Sequence, residues 1–150
     1  MTGHVIEVKQ VAPQPTIVVR RQSELEQLSN TIPEASKVVW NFLTAMDIQQ
    51  VGRNVVLYQD QALNLEVGVE VNTPVEAQPP VISSQLPGGP VAVTVHMGSY
   101  EQLPAAHRAI LDWCEQHQMP LAGPNWEIYD HWSDDPAQRR TFVHYLLHEH

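Results

Sequence analysis

Apolar residues follow two regimes along this chain, and both regimes come round twice. Ile32, Ala35, Val39, Phe42 and Met46 stand at spacings of three and four, as do Leu103, Ala106, Ile110, Trp113 and His117. That spacing predicts one apolar stripe per helix, the pattern of a helix lying on a sheet. Shorter β-rich runs flank each helix. HVIEVKQ and TIVVRR precede the first, and VVLY at 55–58 and LEVGVEV at 65–71 follow it. Around the second helix the same places are held by VISSQLPGGPVAVTVH, by WEIY at 126–129 and by TFVHYLL at 141–147. VISSQLPGGPVAVTVH reads as two strands around a Gly-Gly turn, with HVIEVKQ and TIVVRR as its counterpart.

The approach to each helix also repeats. Residues 17–28, IVVRRQSELEQL, and 92–103, AVTVHMGSYEQL, both run from a β-rich stretch through a polar turn into EQL. Thr31-Ile-Pro-Glu34 and Ser99-Tyr-Glu-Gln102 fit capping boxes. Pro104 lies too deep for a continuous helix from Ser99, which predicts a kink or a short turn first. A glycine, Gly52 or Gly123, comes after each helix and before the next strand. Each half therefore reads strand, strand, helix, strand, strand: repeat one over about 4–73, repeat two over about 80–147, in a single domain spanning 1–150. Two such units predict an α+β fold, an antiparallel sheet with helices on one face. They also imply a pseudo-twofold axis, and a groove between equivalent strands is a natural ligand site.

Composition narrows the function classes. Hydrophobic content of 43% and charged content of 17% belong to a globular chain rather than a disordered one. A formal charge of −9 leaves no basic stripe for phosphates, which argues against direct nucleic-acid binding. No run is long enough to span a membrane, and MTGHVIEVKQ lacks the form of a signal peptide. One cysteine, Cys114, excludes an intrachain disulfide and makes the cytoplasm the expected compartment. On its helix it reads as a small buried hydrophobe.

The stretch GPNWEIYD, 123–130, places an acid inside an apolar strand. Alternation puts Trp126 and Ile128 on one face and Glu127 with Tyr129 on the other. The first pair belongs to a core; the second must face water, a partner or a pocket. His144, His148 and His150 lie close in sequence, but no Cys or carboxylate cluster has metal-site spacing, so no metal and no cofactor is expected. His96 reads as structural, at a strand end. No GxSxG motif or phosphate loop occurs.

HMGSYEQL at 96–103, a helix containing LDW, and GPNWEIYD together resemble the GyrI-like small-molecule-binding domain. That domain is also the effector-binding part of some AraC-type and MerR-type transcription regulators. VVLYQD followed by LEVGVEV is similar to the family's first repeat, with two departures: Glu70 stands where proline is common, and the first half lacks the glycine of HMGSY. The resemblance implies duplicated β-α-β-β (SHS2-like) modules. It also implies that Glu127 is the ligand-contacting acid and Tyr129 its aromatic neighbour. The equivalent strand of the other half places Val56 and Tyr58 on the corresponding face, and Trp132 just beyond the strand could overhang the groove.

A carboxylate between two tyrosines suits a hydrophobic cation, which relieves the cost of desolvation and gains cation–π attraction. The leading expectation is a freestanding, cytoplasmic effector-type domain that binds hydrophobic, often cationic, small molecules. With strands at its N-terminus it has no DNA-binding helices of its own there. A hydrolase is the alternative, with Glu127 as general base and Tyr129 stabilising developing charge. A protein-interaction module, such as the gyrase inhibitor that names the family, is the third; a protein partner is otherwise unspecified.

Overall fold

The computed structural model describes residues 4–130 and 133–149. Eight strands form one antiparallel sheet: β1 (Glu7–Val11), β2 (Gln14–Gln22), β3 (Val51–Tyr58), β4 (Asn64–Val71), β5 (Val81–Leu86), β6 (Gly89–Met97), β7 (Leu121–Tyr129) and β8 (Arg140–Leu147). Two helices, α1 (Leu28–Ala45) and α2 (Leu103–Gln116), connect β2 to β3 and β6 to β7. Both lie on one face.

The strand order is β1-β6-β8-β7-β3-β4-β2-β5. When the β5–β8 half is superposed on the β1–β4 half, this order is the same from either end, as a twofold duplication requires. At its centre β3 pairs with β7, and Val56 lies directly across from Glu127. Val56 and Glu127 are each other's counterparts in the two halves, so the pseudo-twofold axis passes between them.

Each half donates its first strand to the other. β1 pairs with β6 and β5 with β2, whereas the Gly-Gly turn had predicted that β5 and β6 would pair with each other. The turn residues are correctly read, but both flanking strands are apolar enough to find separate partners across the duplication. This exchange ties the halves together at both sheet edges.

The helix boundaries depart from the capping boxes. A 3-10 turn, Leu25–Gln27, runs straight into α1 at Leu28, so Thr31 and Pro33 lie inside the helix. The Thr31 hydroxyl bonds that of Ser23 at 3.0 Å, and Glu34 pairs with Arg21. Before α2 the expected short turn is present as Tyr100–Gln102, without a side-chain cap from Ser99, and Pro104 sits in the first helical turn. Both helices end in the same 6→1 and 5→2 pattern. Ile48 and Asp47 donate to Leu43 and Thr44, and Met119 and Gln118 donate to Cys114 and Glu115. Asp47 and Gln118 adopt the left-handed conformation where glycine is usual. Gly52 and Gly123 instead lie within β3 and β7, at irregularities in register.

Those endings correct the apolar stripes. Met46 and His117 are exposed C-caps, while Leu43 and Cys114, one turn beyond Val39 and Ile110, are buried. α1 packs its stripe on Ile17, Val19, Val67 and Val69, and α2 packs on Ala92, Val143 and Tyr145. The central pair β3–β7 lies between the strands that α1 and α2 cover. On the reverse face Val55, Leu57, Val91, Trp126 and Ile128 form a third cluster.

His144 is also on the reverse face, 8% exposed and stacked on Trp126 with ring planes 7° apart. Burial lowers its pKa to about 4, with Lys9 and Arg53 adding to the shift against an opposing Phe142 backbone contact. The neutral imidazole is the folded form. Above the ordinary value of 6.5 neither state takes a proton; below it only the unfolded chain does, until pH falls to about 4. This group therefore predicts a stability decline on the order of 3 kcal/mol between those limits. His144→Phe should flatten that part of a urea-measured stability–pH curve. The helix packing predicts that Leu43→Ala loses roughly 2–5 kcal/mol. Met46→Ala should stay within about 0.5 kcal/mol of wild type. Equal losses in urea melts would contradict the assigned helix face.

Candidate functional site

Glu127 sits at the centre of β7 on the helix-facing side and is 4% exposed. A carboxylate removed from water needs donors, and three converge on it. The Tyr129 hydroxyl, two residues along the same strand face, donates to Oε1 at 2.5 Å. Tyr58, its pseudo-symmetric counterpart on β3, donates to the same oxygen at 3.1 Å. His107 Nε2, reaching down from α2, lies 2.7 Å from Oε2.

The network continues outward. His107 Nδ1 is 2.7 Å from the Tyr145 hydroxyl on β8. Because Glu127 accepts from Nε2, Nδ1 of a neutral imidazole accepts from Tyr145, and an imidazolium reverses that bond. Tyr100 stands edge-on to Tyr129 with ring centroids 5.4 Å apart, and Tyr58 is edge-on to His107 at 6.4 Å. The result is an acid at the bottom of an aromatic cluster.

Burial and the Glu127 charge act together on the phenols. Burial first, then Glu127, raises Tyr58 and Tyr129 well above the ordinary tyrosine value. Tyr145 is pushed up to about 12 by burial, with Glu127 contributing. All three remain hydroxyl donors across the physiological range.

Two further buried acids occupy the sheet, and they are held differently. Glu66, 2% exposed, takes Arg20 Nε at 2.9 Å and the Ser84 hydroxyl at 2.6 Å. Glu70 takes Arg53 through Nε at 2.9 Å and Nη2 at 3.2 Å, with the Arg53 backbone N–H at 3.0 Å. Glu127 has no such arginine; the basic side chain at it among the described residues is His107, whose imidazole carries charge only when protonated.

The structure therefore brings together Glu127, Tyr129, Tyr58 and Val56 from the sequence-predicted set. Val56, 2% exposed, provides an apolar wall across from the acid. Trp132 lies outside the described residues. Trp40 projects from α1, 39% exposed, and its indole donates to Asn54 Oδ1 on β3 at 2.9 Å. His96, at the end of β6, contacts His4 and the Ser99 carbonyl, in keeping with a structural role.

Sequence reasoning missed His107 and Tyr145. His107 is four residues after Leu103 and one after Ala106, on the flank of the apolar stripe. A polar residue at that flank beside a helix that covers an acidic strand was the available signal. Tyr145 shares β8's helix-facing side with Val143 and lies across from Asn125. Its register to Glu127 could not be read without the strand pairing.

Comparison with known proteins places the chain in a family. No curated protein matches the sequence. Among solved structures, the EcmrR C-terminal domain superposes with a TM-score of 0.81 at 15% identity, over 99% of this chain and 100% of that one. SAV2435, in a structure bound to tetraphenylphosphonium, gives 0.68 at 11% identity, over 96% of this chain and 94% of that one. A hydrolase from Listeria innocua gives 0.61 at 9% identity, over 95% and 91%. At these identities the likeness shows the fold. The family described as GyrI-like small molecule binding domain matches residues 4–143, and the chain belongs to that family.

Proposed function

We propose that this domain binds small organic cations with apolar bodies in the groove between α1 and α2, with Glu127 as the counter-charge. The observation that carries the reading is the contrast among the buried acids. Glu66 and Glu70 each have an arginine, whereas Glu127 is held by two phenols and an imidazole. Phenol hydroxyls and a neutral imidazole stabilise a carboxylate without the fixed charge of an arginine, so the acid keeps an electrostatic demand for a cation. An incoming cation meets that demand, and the aromatic rings add about 0.5–2 kcal/mol of cation–π attraction. Tyrosine faces accept many shapes, which favours a class of ligands over a single one. The neighbour bound to tetraphenylphosphonium supports this ligand chemistry, and the likeness to the EcmrR C-terminal domain supports an effector-type role.

A second reading is hydrolysis. The 2.7 Å contact between His107 and Glu127 could orient the acid as a general base toward water, with Tyr129 donating to developing negative charge. The Listeria innocua neighbour described as a hydrolase makes this a defined alternative. Turnover of an electrophilic ester or epoxide that vanishes in Glu127→Gln would select it.

Titration of tryptophan fluorescence with tetraphenylphosphonium tests the binding reading. Wild type should quench saturably, and Glu127→Gln should weaken binding at least tenfold with its circular dichroism unchanged. Neutral triphenylphosphine oxide should bind both proteins alike. Equal affinity of the cation for wild type and Glu127→Gln would overturn the assignment. Tyr58→Phe removes one of three donors and should cost about 1 kcal/mol of stability in urea melts. Glu127 keeps Tyr129 and His107 in that variant, so a loss as large as that of a core truncation would contradict the shared-donor geometry.

A further inference from the structure

The two ends of the sheet are finished differently. At one end the segment 72–80 packs against β5: the Ser83 hydroxyl donates to the Val75 carbonyl, and Val75 and Ala77 join the α1 core cluster. At the other end β1 pairs with β6 alone among the described residues. Glu7, Val8, Lys9 and Gln10 are exposed in succession, so both faces of that strand are open. Val8 is 43% exposed and Val5, just before the strand, 72%. Such an edge carries a row of backbone donors and acceptors with which another strand can pair.

The charges on β1 decide which strand fits. Glu7 and Lys9 stand two residues apart on one face, across from Val93 and Val91 of β6. Neither is in an ion pair among the described residues. A lone charge on an edge strand deters self-pairing, because a like charge comes opposite it. Opposite signs two residues apart remove that deterrent for one partner, a second copy of the same strand. A twofold axis normal to the sheet sets two copies of β1 antiparallel and keeps their faces on the same sides. Centred on Val8, it places Glu7 of each copy opposite Lys9 of the other, Val8 opposite Val8, and Val5 opposite Val11. Opposite charges at directly facing positions stabilise a strand pair, and like charges destabilise it. Centring on Glu7 or on Lys9 brings like charges together, and in-register parallel pairing does so at both positions. Only the Val8 register makes opposite charges meet.

We infer that β1 is a self-association edge: two copies of this chain join by antiparallel β1–β1 pairing about Val8, forming a twofold dimer with one continuous sheet. Val5, exposed in the single chain, then faces Val11 of the second copy. One strand pair is a small interface, so the association is reversible and concentration-dependent. Glu127 on β7 lies three strands in from this edge, outside the contact.

Sedimentation velocity of the full chain, from low micromolar to near-millimolar concentration, tests this. Wild type should pass from monomer to dimer. Lys9→Glu leaves acids at both positions and Glu7→Lys leaves bases at both, so each alone should weaken dimerisation on the order of tenfold or more. Mixed in equal amounts, these two variants should associate with each other about as tightly as wild type does with itself. The double exchange, Glu7→Lys with Lys9→Glu, should restore the homodimer. Both positions are exposed, and unchanged circular dichroism checks that each variant is folded. Lys37→Glu, exposed on α1, makes the same change in net charge as Lys9→Glu and should leave dimerisation unchanged. A wild type that stays monomeric throughout, or a dimer that persists in either single variant, would overturn the proposal. So would single variants that fail to associate when mixed, or a double exchange that stays monomeric.

Discussion

One carboxylate buried at the centre of an eight-stranded sheet governs the arrangement around it. In low dielectric an acid without donors is costly enough that the surrounding chain must supply them or the acid must reach water. Here the donors come from three elements. β7 brings Tyr129, β3 brings Tyr58 and α2 brings His107. The strand pairing that delivers Tyr58 and the helix position that delivers His107 are thus tied to the same requirement. Helices packed over the lateral strands leave β3 and β7 between them, with the acid at their centre.

Duplication explains why the site is both symmetric and charged. The central pair Val56–Glu127 lies on the pseudo-twofold axis, and Tyr58 and Tyr129 are related across it. Two equivalent phenols can therefore converge on one oxygen. Strict symmetry would place either two acids or none at the axis, and two facing carboxylates would repel each other strongly. The halves have diverged where that matters. Val56 stands opposite Glu127, Ser36 holds the place of His107 on α1, and Val69 on β4 holds the place of Tyr145 on β8. Apart from Tyr58, the first half contributes small or apolar side chains at these places, and the second contributes the acid, the imidazole and the other phenols. The exchanged edge strands β1 and β5 keep the halves in register while this divergence occurs.

Much of this was legible in the sequence because duplication writes every pattern twice. Two stripes at helical spacing, two EQL approaches and two aromatic-ended strands gave the α+β class, the symmetry and the faces of Glu127 and Tyr129. The misreadings occurred where a local signal competed with a nonlocal one. A Gly-Gly turn describes its own backbone and says nothing about which partner each flanking strand will choose. Thr31 and Glu34 match a capping box, but a 3-10 turn had already carried the chain into helix before them. Met46 and His117 continue the apolar spacing into the C-caps, just before Asp47 and Gln118 turn left-handed, a conformation that aspartate tolerates and glutamine does not signal. His107 and Tyr145 join the site through packing of α2 and pairing of β8, distances in space that spacing along the chain does not encode.

Everything proposed for the groove depends on Glu127 lacking a permanent cation and on the space above it accepting one. A crystal structure of the protein with tetraphenylphosphonium addresses this most directly. The phosphonium should lie between α1 and α2, with phenyl rings against Tyr58 and Tyr129 and the charge over Glu127, whose hydrogen bonds rearrange to admit it. A cation seated instead at Glu66, at Glu70 or on the reverse face, with the Tyr58–Glu127–His107 network undisturbed, would contradict it.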